Sequence, residues 1–207
     1  MRAALFDLDG VVFDTEPQYT LFWGAQCRLY YPDRPGLEQQ IKGQTLVQIF
    51  NRFFSGSLQQ EQPVITERLN HFEQNMTFDY VTGFLPFITA LRRRGVKTAL
   101  VTSSNRKKMA KVYGRRPEIV PLFDAILTSE DFECSKPDPD CYLKAAARLN
   151  VVPADCVVFE DSFNGLCSGR AAGMRVVGLA TTNAAADIAP LADMVIADYT
   201  AVDVDTV

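Results

Sequence analysis

The sequence predicts an α/β protein in which a parallel sheet is covered by helices on both faces and carries a small helical insertion after its first strand. Two observations predict it. From Gly83 onward, short apolar runs alternate with helix-like stretches; that order builds a parallel sheet, because each helix carries the chain back to start the next strand. Between about Thr15 and Tyr80 no such run recurs, and Gln, Glu and aromatic residues dominate with helical spacing. A chain of 207 residues, 47% hydrophobic and 22% charged, supplies one sizeable core and a smaller accessory unit.

Ala3 to Phe6 reads as a buried strand that stops at the polar Asp7-Leu8-Asp9-Gly10. In the insertion, Leu46, Ile49, Phe50, Phe53 and Phe54 keep helical spacing, while Pro32, Pro35, Gly36, Gly56 and Pro63 divide the segment into a few short helices. An amphipathic helix then runs from Pro86 to Arg94 and ends at Gly95, followed by a strand from Val96 to Val101 and a helix from Arg106. Further strands are expected at Ala125 to Leu127, Cys156 to Phe159, Arg175 to Leu179 and Met194 to Ile196, with helices at Cys141 to Asn150 and Gly165 to Ala172. The expected division is a sheet core of residues 1–14 and 82–207, with residues 15–81 as a helical cap over it.

A net charge of -4 provides no general field for a nucleic-acid backbone or an anionic membrane, so a small partner is expected, with any phosphate captured locally. The five cysteines, Cys27, Cys134, Cys141, Cys156 and Cys167, are odd in number and form no C-x-x-C pair, which fits free thiols in a reducing cytosol. Charge appears almost at once after Met1, and no apolar run approaches the roughly 18 residues of a membrane span. A cytoplasmic protein is expected, with a monomer favoured.

Ligands of open α/β sheets bind beyond the carboxyl ends of the strands, so the polar residues that follow each apolar run are the candidates. Four clusters stand there: Asp7 and Asp9; Thr102, Ser103, Ser104 and Asn105; Lys136 within Ser-Lys-Pro-Asp-Pro; and Glu160 with Asp161. Any one of them could simply cap a helix or close a turn. Four after four strands make a set of parts for phosphoryl transfer. A carboxylate at Asp7 can attack phosphorus, and Asp9, two positions on, reaches the same rim to move a proton. Mg²⁺ takes oxygen ligands such as Asp7, Glu160 and Asp161 with a backbone carbonyl. Lys136, Thr102 and the N–H groups near Ser103 and Ser104 at a helix start supply an anion cradle.

Phe6-Asp7-Leu8-Asp9-Gly10-Val11-Val12, the run ending in Thr102-Ser103, Lys136-Pro137 and Glu160-Asp161-Ser162-x-x-Gly165 resemble, in order and spacing, the four motifs of the haloacid dehalogenase superfamily of phosphatases and phosphomutases. The resemblance covers nearly the whole chain, and the helical insertion resembles the small cap of the branch holding β-phosphoglucomutases and sugar-phosphate phosphatases. It implies a Rossmann-like core with Asp7 as nucleophile and Asp9 as general acid and base. It also implies Thr102, Ser103 and Lys136 on the phosphate, and Mg²⁺ near Asp7, Asp9, Glu160 and Asp161. Dehalogenases of the superfamily lack the second Asp and ion-pumping ATPases carry Thr there, so Asp9 points away from both.

Substrate contacts are expected in the cap. Lys42-Gly43-Gln44-Thr45 resembles the family's substrate-contacting cap loop, and Glu16 lies just past the segment joining core to cap. β-Phosphoglucomutases carry a His near Tyr19 and an Arg near Leu46; this chain has neither, which favours hydrolysis of a small phosphorylated metabolite, a sugar phosphate, with a sugar phosphomutase as the alternative. A phosphoacceptor signalling domain is more remote, since such domains are shorter and lack the insertion. His71 is expected at or near the surface, Arg92-Arg93-Arg94 as a solvated helix end, and Arg106-Lys107-Lys108 on an exposed helix. Phe22, Trp23, Phe50, Phe53 and Phe54 are expected in the core of the cap.

Overall fold

The structure, a computed structural model, describes residues 1–42 and 44–206. In chain order its elements are β1 (Ala3–Phe6), α1 (Glu16–Tyr30), α2 (Leu46–Phe53), α3 (Gln62–Asn75), α4 (Phe84–Arg93), β2 (Lys97–Val101), α5 (Arg106–Arg115) and β3 (Ala125–Leu127). They continue with α6 (Asp140–Leu149), β4 (Cys156–Glu160), α7 (Phe163–Ala171), β5 (Arg175–Leu179), α8 (Ala185–Ile188) and β6 (Met194–Ile196), with short 3₁₀ turns between some of them. The strands form one sheet in the order β3-β2-β1-β4-β5-β6, every pair parallel.

Alternation along the strands sends each residue to one of two cores. Leu5, Ala99, Val101, Leu127, Val158 and Val176 pack against Tyr142, Ala145 and Leu149 of α6 and Leu166 of α7. Phe6 faces the other way. Its ring stacks on Phe159 at 4.6 Å and meets Phe84 of α4 edge-on at 5.6 Å, while Phe87 approaches Phe159 at 5.4 Å. With both faces buried, the strands need continuous apolar runs, and the sequence has them.

α4 begins two positions before Pro86 because Gly83, at φ 80°, forms its N-cap and proline is tolerated in the first turn of a helix. It ends in a Schellman closure: Gly95, at φ 75°, donates to Arg92 O at 3.0 Å and Val96 N–H to Leu91 O at 3.2 Å. Arg92 is not a solvated end. Its Nη1 donates to Thr98 Oγ1, Leu122 O and Asp124 Oδ1 at 3.0, 3.2 and 3.2 Å, tying α4 to the sheet edge.

The chain separates into two compact units, Met1–Asp14 with Phe78–Val207, and Thr15–Thr77. The second junction therefore precedes the expected 81/82. Backbone bonds from Asp14 N to Asp79 O (2.8 Å) and from Val81 N to Val12 O (3.0 Å) hold residues 78–81 to the sheet unit. The helical unit has its own core of Phe22, Trp23, Phe53, Phe54 and Ile65, with Phe50 packed against it and His71 exposed. No helix among the described residues is long and apolar enough to cross a membrane.

Candidate active site

Register brings the ends of three strands to one level. Phe6 pairs with Leu100 on one side and Phe159 on the other, so Asp7, Val101 and Glu160 leave the sheet at one level. The Asp7 N–H donates to Phe159 O at 3.1 Å, which fixes the backbone where the strand ends.

Lys136, 129 residues further along, reaches Asp7 Oδ1 at 2.6 Å, Glu160 Oε1 at 2.6 Å and Val101 O at 3.2 Å. It is 3% exposed, and an ammonium so buried persists only when paired. Burial opposes its charge, but Asp7 and Glu160 outweigh burial and hold it protonated well above the ordinary lysine value. Burial pushes the Asp7 carboxyl up to about 7; Lys136 pulls it down, while Glu160 and then Asp9 push it up again. Burial likewise acts against Glu160, yet Lys136, the Ser162 N–H and the Tyr142 hydroxyl keep it below the usual carboxylate range.

Glu160 accepts from Lys136 and the Tyr142 hydroxyl on Oε1, and from the Asp161 N–H, the Ser162 N–H and the Ser162 hydroxyl on Oε2. Those donors occupy about all the lone-pair positions a carboxylate offers. A Cβ at Gly165 would collide with this carboxylate, so the first turn of α7 needs glycine there. Ser162 caps that turn, accepting from Gly165 N at 3.1 Å.

Asp161 is 3% exposed and is gripped by the loop after β5. The Thr182 hydroxyl donates to Asp161 Oδ2, Asn183 Nδ2 to Asp161 O at 2.9 Å, and the Thr181 hydroxyl to Gly10 O at 2.6 Å. Gly10 sits at φ 73°, and a Cβ there would strike the Asp161 carboxylate. One oxygen each of Asp7, Glu160 and Asp161 lies within 4.8 Å of the others, an all-oxygen group suited to a hard divalent cation.

Asp9 stands outside that group and has different partners: Lys108 Nζ at 2.5 Å and Ser104 Oγ at 3.3 Å, both on Oδ2. Lys108 corrects the expectation of a fully exposed basic run. Arg106 and Lys107 are exposed, whereas Lys108 lies on the buried face of α5 with Met109 and Val112. Its spacing of four residues from Val112 carried that signal. Thr102, 1% exposed, accepts from Ser104 N at 3.0 Å, and Ser103 is half-buried beside it. Asn105 caps α5 by accepting from Lys108 N at 2.9 Å. Thr181, Thr182 and Asn183 were missed as site residues, although they too follow an apolar run.

In the helical unit, Glu16 opens α1 and Lys42 is half-buried, while Gly43 lies outside the described residues. The Gln44 amide donates to Gln40 O. Thr45 N–H donates to Gln48 Oε1 at 2.8 Å and its hydroxyl accepts from Gln48 N at 3.3 Å. That reciprocal capping box gives Thr45 a structural task at the start of α2. Leu46 packs against the core of this unit, and the Tyr19 hydroxyl donates to Glu73 at 3.2 Å.

Comparison with known proteins matches residues 1–173 to a family described as haloacid dehalogenase-like hydrolase. Hexitol phosphatase A of Escherichia coli is 30% identical over 196 residues, covering 90% of this chain and 85% of that protein. A β-phosphoglucomutase of Bacillus subtilis is 31% identical over 191 residues, covering 86% and 83%. In three dimensions, a HAD hydrolase of family IA, variant 3, from Entamoeba histolytica superposes with a TM-score of 0.82 over 99% of this chain and 96% of that one, at 21% identity, a likeness of fold. This chain belongs to the haloacid dehalogenase-like hydrolases.

Proposed function

We propose that this hydrolase is a Mg²⁺-dependent phosphatase of a small phosphorylated metabolite, a sugar phosphate, working through an aspartyl phosphate on Asp7. The observation that carries the reading is the meeting of Asp7, Lys136, Glu160 and Asp161 at the carboxyl ends of β1 and β4. The resemblance to a hexitol phosphatase supports the substrate class.

An Asp7 oxygen forms a bond to phosphorus as the bond from phosphorus to the leaving alcohol breaks. Asp9 gives its proton to the departing oxygen, then takes one from the water that attacks the phospho-aspartate, releasing inorganic phosphate and restoring Asp7. Lys136 and Thr102, with Ser103, hold the non-bridging oxygens. Mg²⁺ would be held by Asp7, by Asp161 and, on releasing one of its present donors, by Glu160; bound there, it would neutralise charge on the transferred group. Glu16, Lys42, Gly43, Gln44 and Thr45 belong to the proposal as determinants of the alcohol.

The test is phosphate release in Mg²⁺ across a panel of sugar phosphates, hexitol phosphates and nucleotides, with Asp7→Asn alongside. Loss of turnover by Asp7→Asn with its fold retained is expected, and near-normal activity of that variant would refute the nucleophile. The resemblance to a β-phosphoglucomutase favours a second reading, which predicts isomerisation of β-glucose 1-phosphate, primed by its 1,6-bisphosphate, without net phosphate release.

A further inference from the structure

We propose that Lys108 is the positioning residue for Asp9: from α5 its buried ammonium holds the Asp9 carboxyl group through Oδ2, so that its other oxygen, carrying the proton, is aimed at the leaving oxygen and Asp9 is left as the carboxylate after donation. The proposal rests on the reading of Asp9 as general acid and base.

Asp9 lies on the loop after β1, beside a glycine in the left-handed region, and the backbone alone does not set its side-chain torsions. Two donors converge on its Oδ2, the Lys108 ammonium at 2.5 Å and the Ser104 hydroxyl at 3.3 Å. Both come from the segment after β2. That segment is anchored: Asn105 caps it through Lys108 N, and Met109 and Val112 of α5 are buried. The Lys108 side chain is 6% exposed against 69% for Arg106, so its charge is directed inward at the cost of hydration. An ammonium spent on mere surface charge would stay in water.

A positioning role differs in its kinetic signature from a phosphate-binding role. Proton donation matters for a poor leaving group and little for a good one, whereas a cation on the transferred phosphate assists every ester alike. The value of kcat/KM reports events up to breakage of the ester bond. The experiment compares kcat/KM for sorbitol 6-phosphate, an alkyl ester, with that for p-nitrophenyl phosphate in the Mg²⁺-loaded enzyme and in Lys108→Met, Asp9→Asn and the double variant. Circular dichroism reports the fold.

The expected result for Lys108→Met is a fall of about 10²-fold on the alkyl ester, the order associated with misplacing a catalytic group, and a fall about tenfold or more smaller on the aryl ester. In the Asp9→Asn background, Lys108→Met should have no further effect. Lys108→Gln, which keeps a donor of near length, should recover part of the alkyl activity and serves as the probe if Lys108→Met does not fold. An equal fall on both esters, or none, overturns the role of Lys108 while a selective fall in Asp9→Asn leaves the acid reading standing. No selective fall in Asp9→Asn removes the acid reading and this proposal with it.

Discussion

Lys136 and Glu160, 24 residues apart in sequence, meet with Nζ 2.6 Å from Oε1 where the central strands end, and the same nitrogen lies 2.6 Å from Asp7 Oδ1. One ammonium thus bridges two carboxylates and offsets one of their two charges, with Glu160 buried and Asp7 partly so. Replacing it leaves two buried like charges facing each other, the situation in which breaking a buried pair costs most.

Lys136→Met keeps most of the volume and removes the charge. We expect unfolding stability in EDTA to fall by about 3–5 kcal/mol, read from the urea midpoint at pH 8. An unchanged midpoint would mean that the two carboxylates are solvated, or that Asp7 takes up a proton once Lys136 no longer lowers its pKa, and would refute the expected loss.

Asp161 is aimed by the β5 loop, since the Thr182 hydroxyl donates to its Oδ2 and Asn183 to its carbonyl. Thr182→Val removes the donor and keeps the shape. Mg²⁺ affinity by titration calorimetry should weaken by roughly 10–100-fold, the usual effect of losing a partner behind a metal ligand. Unaltered affinity would mean that Asp161 does not depend on this loop, or does not hold the ion.

Asp124 accepts from the Thr98 N–H at 2.8 Å and from Arg92 at 3.2 Å. Burial opposes its ionisation, but these donors prevail and its pKa lies below the usual value. A carboxyl depressed in the folded state adds stability above the unfolded pKa and loses it as pH falls through the folded value. Asp124→Asn should therefore lower Tm more at pH 7 than at pH 3. An equal loss at both would assign the effect to packing.

Much of the sheet was legible in the sequence because apolar runs long enough to span a buried layer are local features. β3, β5 and β6 fall on the expected residues, and β4 extends one residue further to include Glu160. Asp7, Thr102, Glu160 and Asp161 could be singled out because each follows such a run, and Lys136 because it stands in Ser-Lys-Pro-Asp-Pro a little beyond one; parallel strands in register bring the ends of β1, β2 and β4 to one level. The phosphatase-type chemistry was likewise legible from residue types: carboxylates, one lysine and hydroxyl donors suit a phosphoryl group and a hard cation.

The sequence by itself determined the strand content, the helical insertion and the residues at the strand ends, since these depend on periodicity and on neighbours along the chain. Only the tertiary structure decided which charges became partners. Lys108 looked like one of three solvated cations until the buried face of α5 turned it toward Asp9. Arg92 looked like a free helix end until β3 brought Asp124 beside it. Residues 78–81 looked like the end of the insertion until they paired with Val12 to Asp14. A charge's fate depends on what lies across from it, and groups many residues apart meet only once the chain has closed around them.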